Sequence, residues 1–231
     1  MNRTEFKYTD RGRKDLAVLL PGWAFDHRVF DRLDIEYNYL VPLRFGLEDF
    51  CESLERALNG SECTLIGWSF GGVVGAGFLA RHPGLVKRAI FAGIKENYPS
   101  HETEKMKTYL RRNRENYLKG FYRRCLRGHN AGERTWYNSC LADFYLRNMD
   151  AGVLSEQLDH LSGNPLPVNE LMQHEDKVIF TRGTGDAVIP LEETRSLRQK
   201  FPKSCFMDME NTGHLSFLHP AFKYLADSYV A

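Results

Sequence analysis

The stretch that decides the fold is CTLIGWSFGG, residues 63–72. It begins as an apolar run, turns at GWSFG (67–71), and continues into the apolar, glycine-rich segment 70–82. The run predicts a buried strand, and the segment after it predicts a helix. Ser69 therefore lies in a sharp turn between a strand and a helix. In a G-x-S-x-G turn of this kind the serine hydroxyl projects towards a substrate, although a plain glycine-rich turn is the alternative.

Other parts of the chain repeat the alternation of strand and helix. Further short apolar runs lie at 16–20, 38–42, 88–93, 177–183 and 204–210. Helical periodicity occurs between them at 47–58, 70–82 and 191–201. Runs that are apolar on both faces are typical of parallel strands, so the sequence predicts an α/β protein with a mostly parallel, doubly wound sheet.

One interval breaks this spacing. After the run at 88–93 the next strand signal begins only at 177, and the intervening sequence is rich in Arg, Tyr, Asn and Leu. A long insertion in a compact domain usually serves function, often as a lid over a site. We expect residues 97–172 to form a helical cap on a core made of residues 1–96 and 173–231.

Composition narrows the class of protein. The net charge of the 231 residues is +1, which provides no global field to recruit nucleic acid or a membrane, and neither is an expected partner. The five cysteines follow no metal-binding spacing and suit a reducing compartment. No apolar signal segment or membrane-spanning run is found, so we expect a cytoplasmic protein, and a monomer.

A serine at its normal pKa needs a base and an orienting acid. His214, in NTGHLSFLHP just past the last strand, is the candidate base, and His219 is its rival. Asp186, in the glycine-rich loop TRGTGDAVIP, is the candidate acid, and Glu96 is the alternative. Loops at the carboxyl ends of parallel strands open on the same edge of a sheet, which would bring these loops to Ser69.

Acyl transfer also needs hydrogen-bond donors for the oxyanion. The residue after the nucleophile, Phe70, would supply one backbone N–H. The second is expected from an early loop, where Pro21-Gly22 leaves the N–H of Trp23 free. Pro21-Gly22 as a simple turn is an equal alternative.

Four motifs together resemble the α/β-hydrolase superfamily: the elbow GWSFGG, the loop PGWA (21–24), GTGDAVIP (183–190) and TGH (212–214). Within that superfamily the chain is most similar to the pimeloyl-acyl-carrier-protein methyl ester esterases of biotin synthesis. That family carries a G-W-S-[LM]-G-G elbow and an H-G-W oxyanion loop. Here Pro21 stands in place of the histidine of H-G-W.

The resemblance implies a Ser-His-Asp triad made of Ser69, His214 and Asp186, with Trp23 and Phe70 as oxyanion donors. It implies a carboxylesterase that uses no metal or organic cofactor. The alternatives are a carboxylesterase, lactonase or C–C hydrolase for small free substrates, and a binding protein that keeps this fold without turnover.

The resemblance also implies an acidic acyl-carrier protein as partner. Between residues 105 and 127 there are nine basic residues and one acidic residue. At 100° per residue, Arg112, Lys119, Arg123 and Arg127 fall opposite an apolar stripe, although Gly120 is expected to divide the helix. These four are the candidate carrier-binding residues, and an ordinary solvated face is the alternative. Aromatic residues of the same segment are predicted either to line an acyl tunnel or to form the cap core: Tyr109, Trp136, Tyr137, Phe144 and Tyr145.

Overall fold

The computed structural model describes residues 4–229 and contains one seven-stranded sheet. Its strands are β1 (Glu5–Thr9), β2 (Leu16–Leu20), β3 (Asn38–Arg44), β4 (Cys63–Trp68), β5 (Val86–Ala92), β6 (Val178–Gly183) and β7 (Cys205–Met209). They lie in the order β1-β3-β2-β4-β5-β6-β7, and all neighbours are parallel except β1 and β3. The predicted α/β class with a mostly parallel sheet is confirmed.

Strand β1 was not predicted from the sequence. Its residues EFKYT are exposed or half-buried, and it lies at the edge of the sheet, antiparallel to β3. An edge strand is held largely by backbone hydrogen bonds and needs no apolar run. The sequence signal for such a strand is therefore weak.

Helices cover both faces of the sheet. They are α1 (Phe50–Leu58), α2 (Phe70–Arg81), α3 (Ser100–Cys125), α4 (Ala131–Cys140), α5 (Ala142–Asn148), α6 (Ala151–Gly163), α7 (Val168–Met172), α8 (Leu191–Lys200) and α9 (Pro220–Asp227). Helix α2 runs through the core, and its Gly75 lets it approach Leu20, Leu65 and Phe91. In the part of the chain that the structure describes, no helix combines the length and apolar character needed to cross a membrane.

The segment predicted to form the cap, residues 97–172, contains helices α3 to α7 between β5 and β6. Helix α3 breaks at Asn113, whose φ is −162° and ψ 89°, and not at Gly120. The side-chain Oδ1 of Asn113 accepts the backbone N–H of Asn116 at 2.9 Å, as an N-cap residue does. The break follows Asn113 because an asparagine that starts a new helix is stabilised by this bond, whereas a glycine is tolerated inside a helix at a modest cost.

Candidate active site

Ser69 occupies the turn between β4 and α2, with φ 53° and ψ −119°. Positive φ is uncommon for a residue other than glycine and stores strain, which persists only where the surrounding structure holds it. Here the backbone N–H of Ser69 donates to the carbonyl of Ala92, at the end of β5, at 2.8 Å. The turn is thus tied to the neighbouring strand, with the side chain at the carboxyl edge of the sheet.

The glycines around Ser69 are required by close backbone approach. A Cβ atom at Gly71 would lie 2.2 Å from the carbonyl oxygen of Leu20. A Cβ atom at Gly67 would lie 2.6 Å from the Cα atom of Gly72. Real Cβ contacts are never this short, and the atoms in the way belong to the backbone. The spacing G-x-S-x-G therefore follows from packing of this turn against β2 and against its own helix.

Asp186 and His214 are brought together by the loops that follow β6 and β7. The distance from His214 Nδ1 to Asp186 Oδ2 is 2.8 Å, and the two side chains are 0% and 1% exposed. The other carboxylate oxygen, Oδ1, accepts the backbone N–H groups of Val188 at 2.7 Å and Ile189 at 3.0 Å. Three hydrogen bonds therefore fix the carboxylate and, through it, the imidazole ring.

The environment of Asp186 favours its ionised form. Burial by itself would raise the pKa of this carboxyl group, but His214 and the two backbone N–H groups outweigh it and hold the pKa below its ordinary value. A carboxylate that stays ionised accepts the Nδ1 proton of His214. That bond leaves Nε2 as the basic atom of the ring.

The Nε2 atom of His214 is buried and has no hydrogen-bond partner among the described residues. No hydrogen bond joins it to Ser69 Oγ in residues 4–229, although the backbone of Ser69 and the ring of His214 both lie beside the end of β5. The backbone N–H of Ser69 donates to the carbonyl of Ala92. Gly93 follows Ala92, and a Cβ atom at Gly93 would lie 3.0 Å from His214 Nδ1. Catalytic hydrogen bonds are often long in the absence of substrate, so the missing bond does not argue against transfer of the Ser69 proton to His214.

The two rival residues have other partners. His219 is the N-cap of α9, where its Nδ1 accepts the backbone N–H of Ala221 at 3.1 Å. The carboxylate of Glu96 accepts from Lys200 Nζ at 2.6 Å. Neither is bonded to the Asp186–His214 pair.

The two predicted oxyanion donors are backbone N–H groups at positions where the described part of the fold supplies no acceptor. Phe70 is the first residue of α2, where an N–H group has no acceptor within the helix. Trp23 lies in the loop after β2, and its backbone N–H makes no hydrogen bond within residues 4–229. The indole Nε1 of Trp23 donates to the carbonyl of Leu154 in α6 at 3.0 Å, which ties this loop to the segment 97–172.

A cavity of about 100 Å³ opens beside Ser69 and Trp23. Its apolar wall comes from α3, α6 and the loop after Asp186: Met106, Phe121, Leu158, Leu161, Val188 and Ile189. A charged pair also borders it, since Lys95 Nζ lies 2.9 Å from the carboxylate of Glu102. Such a cavity suits a small, mainly apolar group that carries one polar atom facing the Lys95–Glu102 pair.

The aromatic residues predicted to line a tunnel or to form the cap core do not border this cavity. Tyr137 and Tyr145 are buried and pack against Phe25, with ring centroids 6.3 and 5.3 Å away. Tyr109 is 44% exposed and stacks on Tyr117. Tyr137 and Tyr145 thus pack between the inserted helices and the core, as the second interpretation predicts, and Tyr109 lies at the surface.

Lys95 and Glu102 were missed by sequence reasoning. Lys95 comes shortly after β5, and residues at the carboxyl ends of parallel strands share one edge of the sheet. That position is a signal that could have identified it. Glu102 lies in the first turn of α3, and no motif marks it.

The four predicted carrier-binding residues are exposed. Arg112 lies before the break of α3 at Asn113, Lys119 and Arg123 follow it, and Arg127 lies just beyond the helix, so the single helical face predicted for them is interrupted. Lys119 is paired with Glu115 at 2.6 Å, which neutralises its charge locally. Arg112, Arg123 and Arg127 remain as exposed cations. These three exposed cations, called the basic surface below, lie on or next to α3, whose Met106 and Phe121 contribute to the cavity wall.

Comparison with known proteins gives one family match. A family model described as "alpha/beta hydrolase fold" matches residues 22–132, which include Trp23 and the elbow. No curated protein matches the sequence.

Solved structures match over nearly the whole chain. An esterase from Exiguobacterium antarcticum is 19% identical, with a TM-score of 0.79, covering 98% of this chain and 96% of its own. A thermophilic esterase from Thermogutta terrifontis is 18% identical, with a TM-score of 0.75, covering 96% and 89%. An esterase from Rhodococcus sp. is 20% identical, with a TM-score of 0.72, covering 98% and 94%. At these identities the likeness is one of fold.

Proposed function

Since the chain has the α/β-hydrolase fold, we propose that it is a serine hydrolase of carboxylic esters with Ser69 as nucleophile. The observation that carries this proposal is the Asp186–His214 pair. Its 2.8 Å bond is buried, and it leaves Nε2 of the histidine free at the edge where the strained turn places Ser69. A histidine oriented by a carboxylate beside a serine is the arrangement that activates a hydroxyl group.

The proposed reaction assigns a role to each of these residues. Nε2 of His214 takes the proton of Ser69 as Oγ attacks the ester carbonyl, and Asp186 stabilises the imidazolium that forms. The oxyanion is placed to accept the backbone N–H groups of Trp23 and Phe70. His214 then gives its proton to the leaving alcohol, and water, activated by the same Nε2, hydrolyses the acyl-enzyme. No metal or organic cofactor enters these steps.

A fluorophosphonate probe and p-nitrophenyl acetate test this proposal. We expect the probe to label Ser69, and we expect both labelling and hydrolysis to disappear in Ser69→Ala. A folded wild-type protein that is neither labelled nor active on esters would contradict the proposal. It would favour a binding protein that has kept this fold without turnover.

For the substrate, we propose the methyl ester of a pimeloyl group carried by an acyl-carrier protein. Two observations support this: the resemblance of GWSFGG and PGWA to the esterases of biotin synthesis, and the basic surface on α3. Such carriers are acidic, and complementary charge speeds encounter and sets orientation. A carrier bound there would deliver its acyl chain to a cavity that α3 itself lines.

Charge reversal separates carrier recognition from catalysis. We expect Arg112→Glu and Arg123→Glu together to raise KM for the pimeloyl-carrier methyl ester by about tenfold, because weak surface pairs contribute up to about 1 kcal/mol each. Hydrolysis of free dimethyl pimelate should be unchanged. Lys14→Glu is the control, because this exposed lysine comes just before β2, at the amino ends of the parallel strands, whereas Ser69 lies at their carboxyl ends. Equal losses on both substrates would remove the docking surface from the proposal.

A second candidate is a carboxylesterase for small free esters or lactones, and a C–C hydrolase on the same fold is related to it. The cavity of about 100 Å³ favours this class, since pockets for drug-sized ligands usually measure about 300–1,000 Å³. Rapid hydrolysis of short free esters, with no gain when the acyl group is attached to a carrier, would select it.

A further inference from the structure

The loop that carries His214 (residues 210–215, the His214 loop) rests against the end of α3. The backbone N–H of His214 donates to the carbonyl of Cys125, the last residue of that helix, at 3.1 Å. A Cβ atom at Gly213 would lie 2.1 Å from the carbonyl oxygen of Arg127. The backbone of the His214 loop is therefore in direct van der Waals contact with the backbone of residues 125–127.

His129 extends this contact beyond His214. Its side chain is 0% exposed, and its Nε2 atom accepts the backbone N–H of Leu215 at 3.2 Å. An imidazole nitrogen that accepts from an N–H carries no proton, so Nδ1 carries it. Nδ1 lies 2.8 Å from Glu133 Oε2, which is an acceptor for that proton. Burial lowers the pKa of His129, and this keeps the ring neutral and Nε2 able to accept.

Glu133 is itself held in place. Its Oε2 also accepts the backbone N–H of Asn130 at 3.1 Å, and Asn130 Oδ1 accepts the backbone N–H of Glu133 at 2.9 Å. This is a capping box at the start of α4. A continuous series of hydrogen bonds thus runs from that helix end through Glu133 and His129 to the residue after His214.

We infer that His129, oriented by Glu133, is a positioning residue that holds the His214 loop in its reactive place. This inference rests on the proposed function of Ser69 and His214. His129 contacts the His214 loop through both ring nitrogens: Nε2 accepts from Leu215, and Nδ1, bonded to Glu133 of its own segment, also lies 3.3 Å from Thr212 Oγ1. A residue serving only local helix stability does not need these contacts with a distant loop. A misplacement of a catalytic group by 1 Å costs about 100-fold in rate, so a His214 loop displaced by about 0.5–1 Å should cost about 10–100-fold.

Substitutions at His129 test the role of the Nε2 acceptor. His129→Leu keeps a similar volume without an acceptor, whereas the side-chain oxygen in His129→Gln can stand near the position of Nε2. With p-nitrophenyl acetate we expect His129→Leu to lower kcat by about 10–100-fold at an unchanged KM, as for a displacement of His214 by about 0.5–1 Å. His129→Gln should recover most of that loss. Glu133→Ala should act in the same direction with a smaller effect.

Lys177→Met is the matched control. Lys177 Nζ donates to the carbonyls of Pro83 at 2.9 Å and Val86 at 3.0 Å, so its removal weakens packing at the start of β5 and leaves residues 125–133 untouched. We expect its melting temperature to fall as in His129→Leu while kcat is kept. Equal kcat values in the two variants, or a loss in His129→Gln as large as in His129→Leu, would overturn the inference.

Hydrogen exchange at the amide of Leu215 gives a readout that needs no turnover. We expect exchange to be about tenfold faster in His129→Leu than in the wild type, as for the loss of one ordinary hydrogen bond, and close to wild type in His129→Gln. Unchanged exchange in His129→Leu would refute the positioning role. A wild-type protein inactive on every ester would instead refute the proposed function, and the exchange comparison would still decide whether His129 holds this loop.

Discussion

Replacing Gly93 by alanine should displace the imidazole ring of His214 next to Asp186. Gly93 follows β5 with φ +59°, and a Cβ atom there would lie 3.0 Å from Nδ1 and 3.1 Å from Cε1 of His214. The same atom would be 3.5 Å from Asp186 Oδ2. The substitution therefore has two separable effects, one on the backbone conformation and one on the position of the imidazole ring.

The two effects differ in size and in what they change. A left-handed backbone conformation costs an alanine about 1–2 kcal/mol relative to glycine, which corresponds to a fall in melting temperature of about 2–8 °C for a domain of this length. At 3.0–3.4 Å a neighbour must move by a few tenths of an ångström. If 1 Å costs about 100-fold in rate, a shift of about 0.3–0.5 Å of His214 costs about 4- to 10-fold in kcat.

Gly60→Ala is the control that carries the backbone cost without any displacement of the His214 ring. Gly60 has φ +81°, and a Cβ atom there would meet nothing within 4 Å. We expect both variants to lose similar thermal stability and only Gly93→Ala to lose kcat for p-nitrophenyl acetate. If kcat were the same in the two variants, the position of His214 next to Gly93 would not limit the reaction, and the reasoning from this geometry would be refuted.

Three further predictions concern the same site. Asp186→Asn should lower kcat by about 10³–10⁴-fold, measured with p-nitrophenyl acetate, because the amide cannot hold His214 in the required tautomer. The lowered pKa of Asp186 contributes stability above its ordinary value of 3.8, and this contribution is lost as the pH falls through the folded-state value. The unfolding free energies of wild type and Asp186→Asn in urea should therefore converge below pH 4. Trp23→Phe leaves the carbonyl of Leu154 without its donor and should cost about 1 kcal/mol in urea unfolding at an unchanged m value.

The strands that were predicted from sequence are those that carry an apolar run. Strands β2 to β6 have a neighbour on each side and are mainly buried. Strand β7 lies at the edge with mostly exposed or half-buried side chains, and only its apolar residues indicated it. Strand β1 escaped because its side chains carry no such pattern. The break in α3 was placed at Gly120 instead of Asn113, because the sequence shows a weak helix former but does not show which cap hydrogen bond forms.

The candidate site was predicted in the same uneven way. Ser69, Asp186 and His214 were identified from their order and from the strands they follow, and the structure brings the last two into contact. His129 carries no local motif, since its partner Leu215 is 86 residues away and the contact depends on where α3 ends. Residues whose role is defined by a distant loop leave no pattern in one sequence.

Helix α3 contacts both the cavity beside Ser69 and the loops that carry the candidate site. It lines the cavity through Met106 and Phe121, and its end holds the His214 loop through Cys125. From the same helix, Tyr122 Oη donates to the carbonyl of Ala24, beside Trp23 in the predicted oxyanion loop, at 2.8 Å. We therefore expect a change in the inserted segment that alters this cavity also to shift the supports of the proposed base and of the predicted oxyanion loop. Exchange of α3 for a foreign helix should lower kcat as well as alter specificity, unless the residues at its end keep both contacts.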